Sequence, residues 1–265
     1  MLRRFQCEEA HSGTQDSSDT QTMEHAMTEV MIKAEGLTKH FGDFPAVSDI
    51  SFTINRGQVV AFLGPNGAGK STTMRMLTGF IAPTHGRVEI AGIDLATHRI
   101  EATSRIGYLP ENGPLYLDMT PLSLLRFFGT ARGIEDGKLE TRIQEVVISC
   151  ALQGGLEKPI SKLSRGYRQR VGMANTLLHE PEVLILDEPT AGLDPNQIRE
   201  VRKLIRELGK SNTIMLSTHI LQEVEAVADW VIFIHEGRIV FDGSIDEFRS
   251  DTDSLDKKCR AVTAA

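Results

Sequence analysis

The sequence predicts an α/β fold: a parallel-sheet core with a small helical subdomain inserted in it. Three observations predict this. Short apolar runs of strand length recur at 59–63, 183–186 and 213–216, as expected of strands buried on both faces. Helical patterns lie between those runs, and this alternation is what builds parallel sheets. The interval 115–163 breaks the alternation, with two helical patterns and no strand.

The first 29 residues are rich in Ser, Thr, Gln, Asp and Glu and poor in aromatics. Such a segment buries too little apolar surface to offset its ordering entropy, so 1–29 is expected to be a disordered extension. The alternative is a true start at Met27 or Met31, with the upstream residues not native. An ordered domain is expected over 30–250, and a polar tail over 251–265. Val59-Val60-Ala61-Phe62-Leu63 stops at a glycine-rich turn, after which 69–78 reads as a helix. Helical patterns follow at 122–131 and 139–152, within a helical subdomain of about 115–163. Ile198, Val201, Leu204, Ile205 and Leu208 recur at three-and-four spacing, which marks an amphipathic helix over 195–208. Two last apolar runs, 230–234 and 239–241, flank Glu236-Gly237 and predict a hairpin.

Composition bounds the function. With 265 residues the chain can bury a full core. A net charge of -7 argues against a phosphate-backbone surface, and no nucleic acid partner is expected. Cys7, Cys150 and Cys259 are too scattered for metal or disulfide spacing, as in a reducing compartment. No apolar run approaches the roughly 18–20 residues a spanning helix needs, and the N-terminus lacks the apolar middle of a secretory signal. The expected location is cytoplasmic, free or docked on the cytoplasmic face of a membrane.

The chemistry concentrates at two strand ends. Gly64-Pro65-Asn66-Gly67-Ala68-Gly69-Lys70-Ser71 follows a strand and opens a helix, the context of a phosphate-binding P-loop. Its glycines let successive N–H groups point at phosphate oxygens, and the helix N-terminus adds its positive end. Lys70 is placed for the β- and γ-phosphates, Ser71 for Mg²⁺ and Thr72 for the α-phosphate, so ATP and Mg²⁺ are expected. Asp187 and Glu188 close the apolar strand at 183–186, where ligands bind in open α/β sheets. Asp187 is a candidate for Mg²⁺ and Glu188 for polarising an attacking water.

Leu163-Ser164-Arg165-Gly166-Tyr167, the acidic strand, Ala191-Gly192-Leu193-Asp194 and His219, in that order behind a P-loop, resemble the ATP-binding-cassette ATPases over roughly 32–248. The resemblance implies a RecA-like P-loop NTPase core, a helical insertion and an antiparallel β subdomain. It also implies two facing cassettes, a homodimer or a heterodimer with another cassette, in which each ATP lies between one P-loop and the partner's signature. Ser164 and Gly166 would then contact the γ-phosphate of the other subunit, with Ser164 as the N-cap of a helix running to about Leu178. His219 would sense the γ-phosphate and hold the water, Asp194 would couple the two sites, and Phe41 would stack on adenine. Glu111 stands where the family generally has Gln and would serve Mg²⁺ or water. The signature ends Arg165-Gly166-Tyr167 rather than Gly-Gly-Gln, which keeps the phosphate-facing Ser164 and Gly166. Tyr167 reads as a helix-surface or interface residue. Arg165, Arg168 and Arg170 read as a solvated face, or as contacts to phosphate or partner.

Tyr108-Leu109-Pro110-Glu111-Asn112, with the run Leu163 to Arg170, looks like the ATP-binding subunits of ABC-2 type exporters. That implies an integral membrane permease as partner. A soluble cassette ATPase working on nucleic acid or ribosomes is the alternative, and a small-molecule kinase sharing only the P-loop a more distant one.

Overall fold

The computed structural model describes residues 29–111, 113 and 115–250. The expectations for 1–28 and 251–265 lie outside the described residues. Glu29, assigned above to the disordered extension, is anchored: its carboxylate accepts from Arg56 at 2.6 and 3.0 Å.

Two sheets make the frame. The first is antiparallel, in the order β2 (Phe44–Asn55), β1 (Val30–Phe41), β4 (His85–Ile90), β5 (Ile93–Asp94). The second has six strands in the order β10 (Arg238–Ser244), β9 (Trp230–His235), β3 (Val59–Leu63), β8 (Thr213–Thr218), β7 (Val183–Asp187), β6 (Ile106–Leu109). Only β10 pairs antiparallel in it, closing the hairpin expected around Glu236-Gly237. Every residue of β3, β7 and β8 is buried, as the apolar runs 59–63, 183–186 and 214–216 within them require.

Strand order positions the chemistry. β8 lies between β3 and β7, with Leu63 beside Thr218 and Asp187 beside Ser217. The carboxyl ends of the P-loop strand, the acidic strand and the strand before His219 therefore open side by side. Helix α1 (Lys70–Leu77) leaves directly from the P-loop. Its Met74, Met76 and Leu77 are buried with Phe62 of the central sheet and Ile32 and Ile54 of the antiparallel sheet, which locks the loop between the two layers.

The short α2 (Arg99–Ser104) precedes β6. After β6 the chain is helical: α3 (Pro121–Ala131), α4 (Asp136–Ser149) and α5 (Arg165–Leu177). Thr120 caps α3, accepting from Ser123 N at 3.2 Å, and Pro121 pre-sets its first turn. These helices do not form a separate core. Leu124, Leu125, Leu152 and Val171 share one apolar cluster with Leu184 and Leu186 of β7. Truncating a buried leucine such as Leu124 costs about 2–5 kcal/mol, so the helical insertion and the sheet that carries Asp187 are stabilised together. Tyr167 turns inward: its hydroxyl donates to the Leu152 carbonyl and its ring lies under Arg170. It staples the helical segment to α5 while remaining half-buried. Arg170 is likewise occupied, donating to Ala151 O at 2.9 Å.

The chain ends with α6 (Pro195–Gly209), α7 (Leu221–Val227) and α8 (Ile245–Ser250). Asp194 starts α6 with a capping box, its Oδ1 accepting from Asn196 N at 2.9 Å and Gln197 N at 3.0 Å.

Candidate functional site

The P-loop is built around glycine geometry and one buried cation. Gly67 and Gly69 have φ of 83° and 104°, a region that L side chains rarely enter. A Cβ on Gly69 would also meet Ala46 O at 2.7 Å. Lys70 is 6 % exposed, and its ammonium donates to Gly64 O at 2.8 Å and Pro65 O at 3.1 Å. Glu188 Oε1 lies 3.4 Å from the same nitrogen.

The acidic strand end faces this loop. Asp187 Oδ1 accepts from Ser71 Oγ at 3.2 Å and from Ser217 Oγ at 2.6 Å. Ser217 is fully buried and also accepts from Glu188 N at 2.9 Å. One hydroxyl thus holds both acidic residues in place. Glu188 itself sits at φ 47°, and this turn brings its carboxylate back over the loop. His219 Nδ1 lies 3.1 Å from Glu188 Oε2. The Glu188 carboxylate therefore joins Lys70 to His219, with Asp187 beside it on Ser71 and Ser217, although these residues come from three parts of the chain.

Above them is a cavity of about 500 Å³ whose lining includes Phe41, Asn66, Thr72, Glu111, Glu188 and His219. Gly67, Gly69, Lys70 and Ser71 line it as well, whereas Gly64, Pro65, Ala68 and Asp187 do not. Phe41 and Phe44 face each other across the β1–β2 turn and are 52 % and 64 % exposed, which presents two free aromatic faces at the cavity edge. Lys39 Nζ sits over one face of Phe41, 5.3 Å from the ring centroid. Ser164, Gly166 and Asp194 do not line this cavity. Ser164 caps α5, accepting from Tyr167 N at 3.2 Å, and a Cβ on Gly166 would collide with the Gln197 side chain at 2.5 Å. A larger hollow of about 720 Å³, lined by Ile100, Arg132, Arg142 and His179 among others, has neither a phosphate loop nor an acidic strand end.

The residues fit a magnesium triphosphate. No Cβ position at Gly67 is obstructed within 4 Å, which leaves the loop face open to phosphate oxygens. Ser71 Oγ and Asp187 Oδ1 are hard oxygen donors in mutual contact, the type Mg²⁺ takes alongside water and phosphate. Among the described residues no group of three His, Cys, Asp or Glu could hold a metal by itself. That suits an ion completed by its substrate.

Ser217 and Phe44 are parts of the site that the sequence reading missed. A polar residue closing the buried run Ile214-Met215-Leu216 was the available signal for Ser217.

A family model described as ABC transporter matches residues 47–191. The chain belongs to this family. It is 41% identical over 221 residues to the bacitracin transport ATP-binding protein BcrA of Bacillus licheniformis, covering 83% of this chain and 71% of that protein. It is 36% identical over 218 residues to the lantibiotic transport ATP-binding protein SrtF of Streptococcus pyogenes, covering 82% and 92%. A solved structure described as the ATP binding subunit of an ABC transporter superposes with a TM-score of 0.77 at 31% identity, covering 88% of this chain and 99% of that one. The ABC chain is thus an ATP-binding subunit whose ATPase activity powers transport. Its α/β P-loop fold is the one expected.

Proposed function

We propose that this chain is the motor of an ABC-2 type exporter, hydrolysing ATP with Mg²⁺ in sites shared between two copies and driving a separate membrane permease. The convergence of Lys70, Asp187, Glu188 and His219 at the carboxyl edge of the sheet carries this reading. Relatives named for bacitracin and lantibiotic transport favour the exporter class. No helix among the described residues is long and apolar enough to cross a membrane, and a subunit docked on the cytoplasmic face of a permease needs none. Residues 30–250 act as one ATPase domain, with 115–163 as its helical subdomain.

In this reading the uncovered face of Phe41 stacks on adenine, and the loop from Gly64 to Ser71 wraps the phosphates with Thr72 at the α-phosphate. Ser71, Asp187 and Glu111 hold Mg²⁺, which when bound neutralises phosphate charge. Lys70 exchanges Glu188 for phosphate oxygens. Released from the ammonium, the Glu188 carboxylate accepts the proton of the attacking water, and His219 orients that water. Ser164 and Gly166 of the partner subunit complete the γ-phosphate site at the N-terminus of α5, and Asp194 links the two sites.

Ser164→Asp tests the shared site. Aspartate is as good an N-cap as serine, so α5 stays folded, yet a negative charge now faces the partner's phosphate. With Mg-ATP, Glu188→Gln chains should elute as dimers on size exclusion and Ser164→Asp/Glu188→Gln chains as monomers with equal ATP affinity. Dimers from both variants would remove Ser164 from the interface. Affinity capture from membranes that never recovers a multi-span protein would sink the permease partnership.

A further inference from the structure

One buried carboxylate beside the site has no part in the chemistry described above. Glu223, in the first turn of α7, is 2 % exposed. Its Oε2 accepts from the Thr218 hydroxyl at 2.6 Å, and its Oε1 from the Thr190 hydroxyl. Thr218 Oγ1 in turn accepts from Ile220 N at 3.1 Å. Arg202 of α6 supplies a cation, its Nη2 3.9 Å from Glu223 Oε1.

A buried charge is costly, and apolar replacements of buried ionic groups are often neutral or stabilising. What Glu223 provides is connectivity. Thr190 stands two residues after Glu188. Thr218 and Ile220 flank His219, so the hydroxyl bonded to Glu223 holds the backbone on both sides of that imidazole. Arg202 belongs to the helix that Asp194 starts. Three segments carrying site residues meet at one carboxylate.

We propose that Glu223 is a positioning residue for ATP hydrolysis, which fixes the separation of Glu188 and His219 by holding Thr190 and Thr218 together. The inference rests on the hydrolytic roles given to Glu188 and His219 above. Displacing catalytic groups by about 1 Å costs roughly 10²-fold in rate, whereas the Gly64 and Pro65 carbonyls that hold Lys70 in the loop make no contact with Glu223.

The test is ATP turnover by the full chain, assembled with its permease, alongside binding of a fluorescent ATP analogue. Glu223→Ala should lower kcat by roughly 10–100-fold with KM and analogue affinity within about twofold. Glu223→Gln, which can still accept from one threonine and donate to the other, should restore most of kcat. Thr190→Val, of the same shape, should lose several-fold, and it decides the matter where Glu223→Ala does not fold. In a His219→Ala background, Glu223→Ala should cost little more, since both act through one geometry. A parallel loss of kcat and nucleotide affinity, or an additive loss in that background, overturns the inference. Wild-type turnover by His219→Ala would instead remove the role of His219 itself.

Discussion

Replacing Glu188 with glutamine separates two roles of one carboxylate. It keeps the shape beside Lys70 and His219 but removes the charge. Lys70 Nζ lies 3.4 Å from Oε1, and the two side chains are 6% and 10% exposed. At an effective dielectric of 20 that separation corresponds to about 5 kcal/mol of attraction. Desolvation offsets most of it, leaving about 1–2 kcal/mol that a γ-phosphate must displace to claim the ammonium. The neutral variant should therefore bind Mg-ATP roughly 5–30-fold more tightly, at about tenfold per 1.4 kcal/mol. Turnover should fall by roughly 10²–10⁴-fold with loss of the general base. Calorimetric titration gives the first quantity and single-turnover phosphate release the second. Unchanged release would refute the base assignment. Slow release with weaker binding would refute the competition between carboxylate and phosphate.

Two further outcomes concern the cavity edge and a half-buried histidine away from it. Phe41→Ala should weaken ATP by roughly 5–150-fold, the range of one lost base stack, with Phe44 holding the loss towards the lower end. GTP should weaken equally, because a ring face reads no base edge; competition titrations that show loss for ATP alone would place a reading group elsewhere. The third outcome concerns pH and stability. Burial, helped by the nearby Arg132, pushes the His179 imidazole down to about 4, against the bond to Ile106 O at 2.9 Å. The unfolded chain takes up this proton near its ordinary value of 6.5, the folded chain only near 4. Stability should therefore fall as pH drops through that window and stay flat above it. After allowance for solvent screening the loss is on the order of 1–2 kcal/mol. Melting curves at pH 7 and 5 should show it, and His179→Gln should flatten it; an equal slope in that variant would assign the effect elsewhere.

The elements legible in the sequence were those whose apolar pattern alone defines them. β3, β7 and β8 are buried on all sides, and α6 has an apolar stripe running from Ile198 to Leu208. β6 was not read, because Ile106-Gly107-Tyr108-Leu109 is short and contains a glycine. That glycine is there because a Cβ would strike Thr176 O at 2.7 Å on α5, a contact made only in the folded chain. α7 is two turns long, and no side chain caps its first residue. In the site, the loop and both acids were visible because their spacing is local. Ser217 and Glu223 were not, since their bonds reach Asp187 and Thr190 across 30 and 33 residues. Only the strand order brings those partners together.

The backbone at Glu188, turned to φ 47°, sets a limit on engineering this protein. A side chain there is held in a conformation that costs roughly 1–2 kcal/mol for most residues and little for glycine or asparagine. Heat-based selection would therefore reward replacements at the very position proposed to supply the base for hydrolysis. Libraries built for thermal tolerance should leave this residue unvaried, because what makes it expensive to fold is also what swings its carboxylate over the phosphate loop.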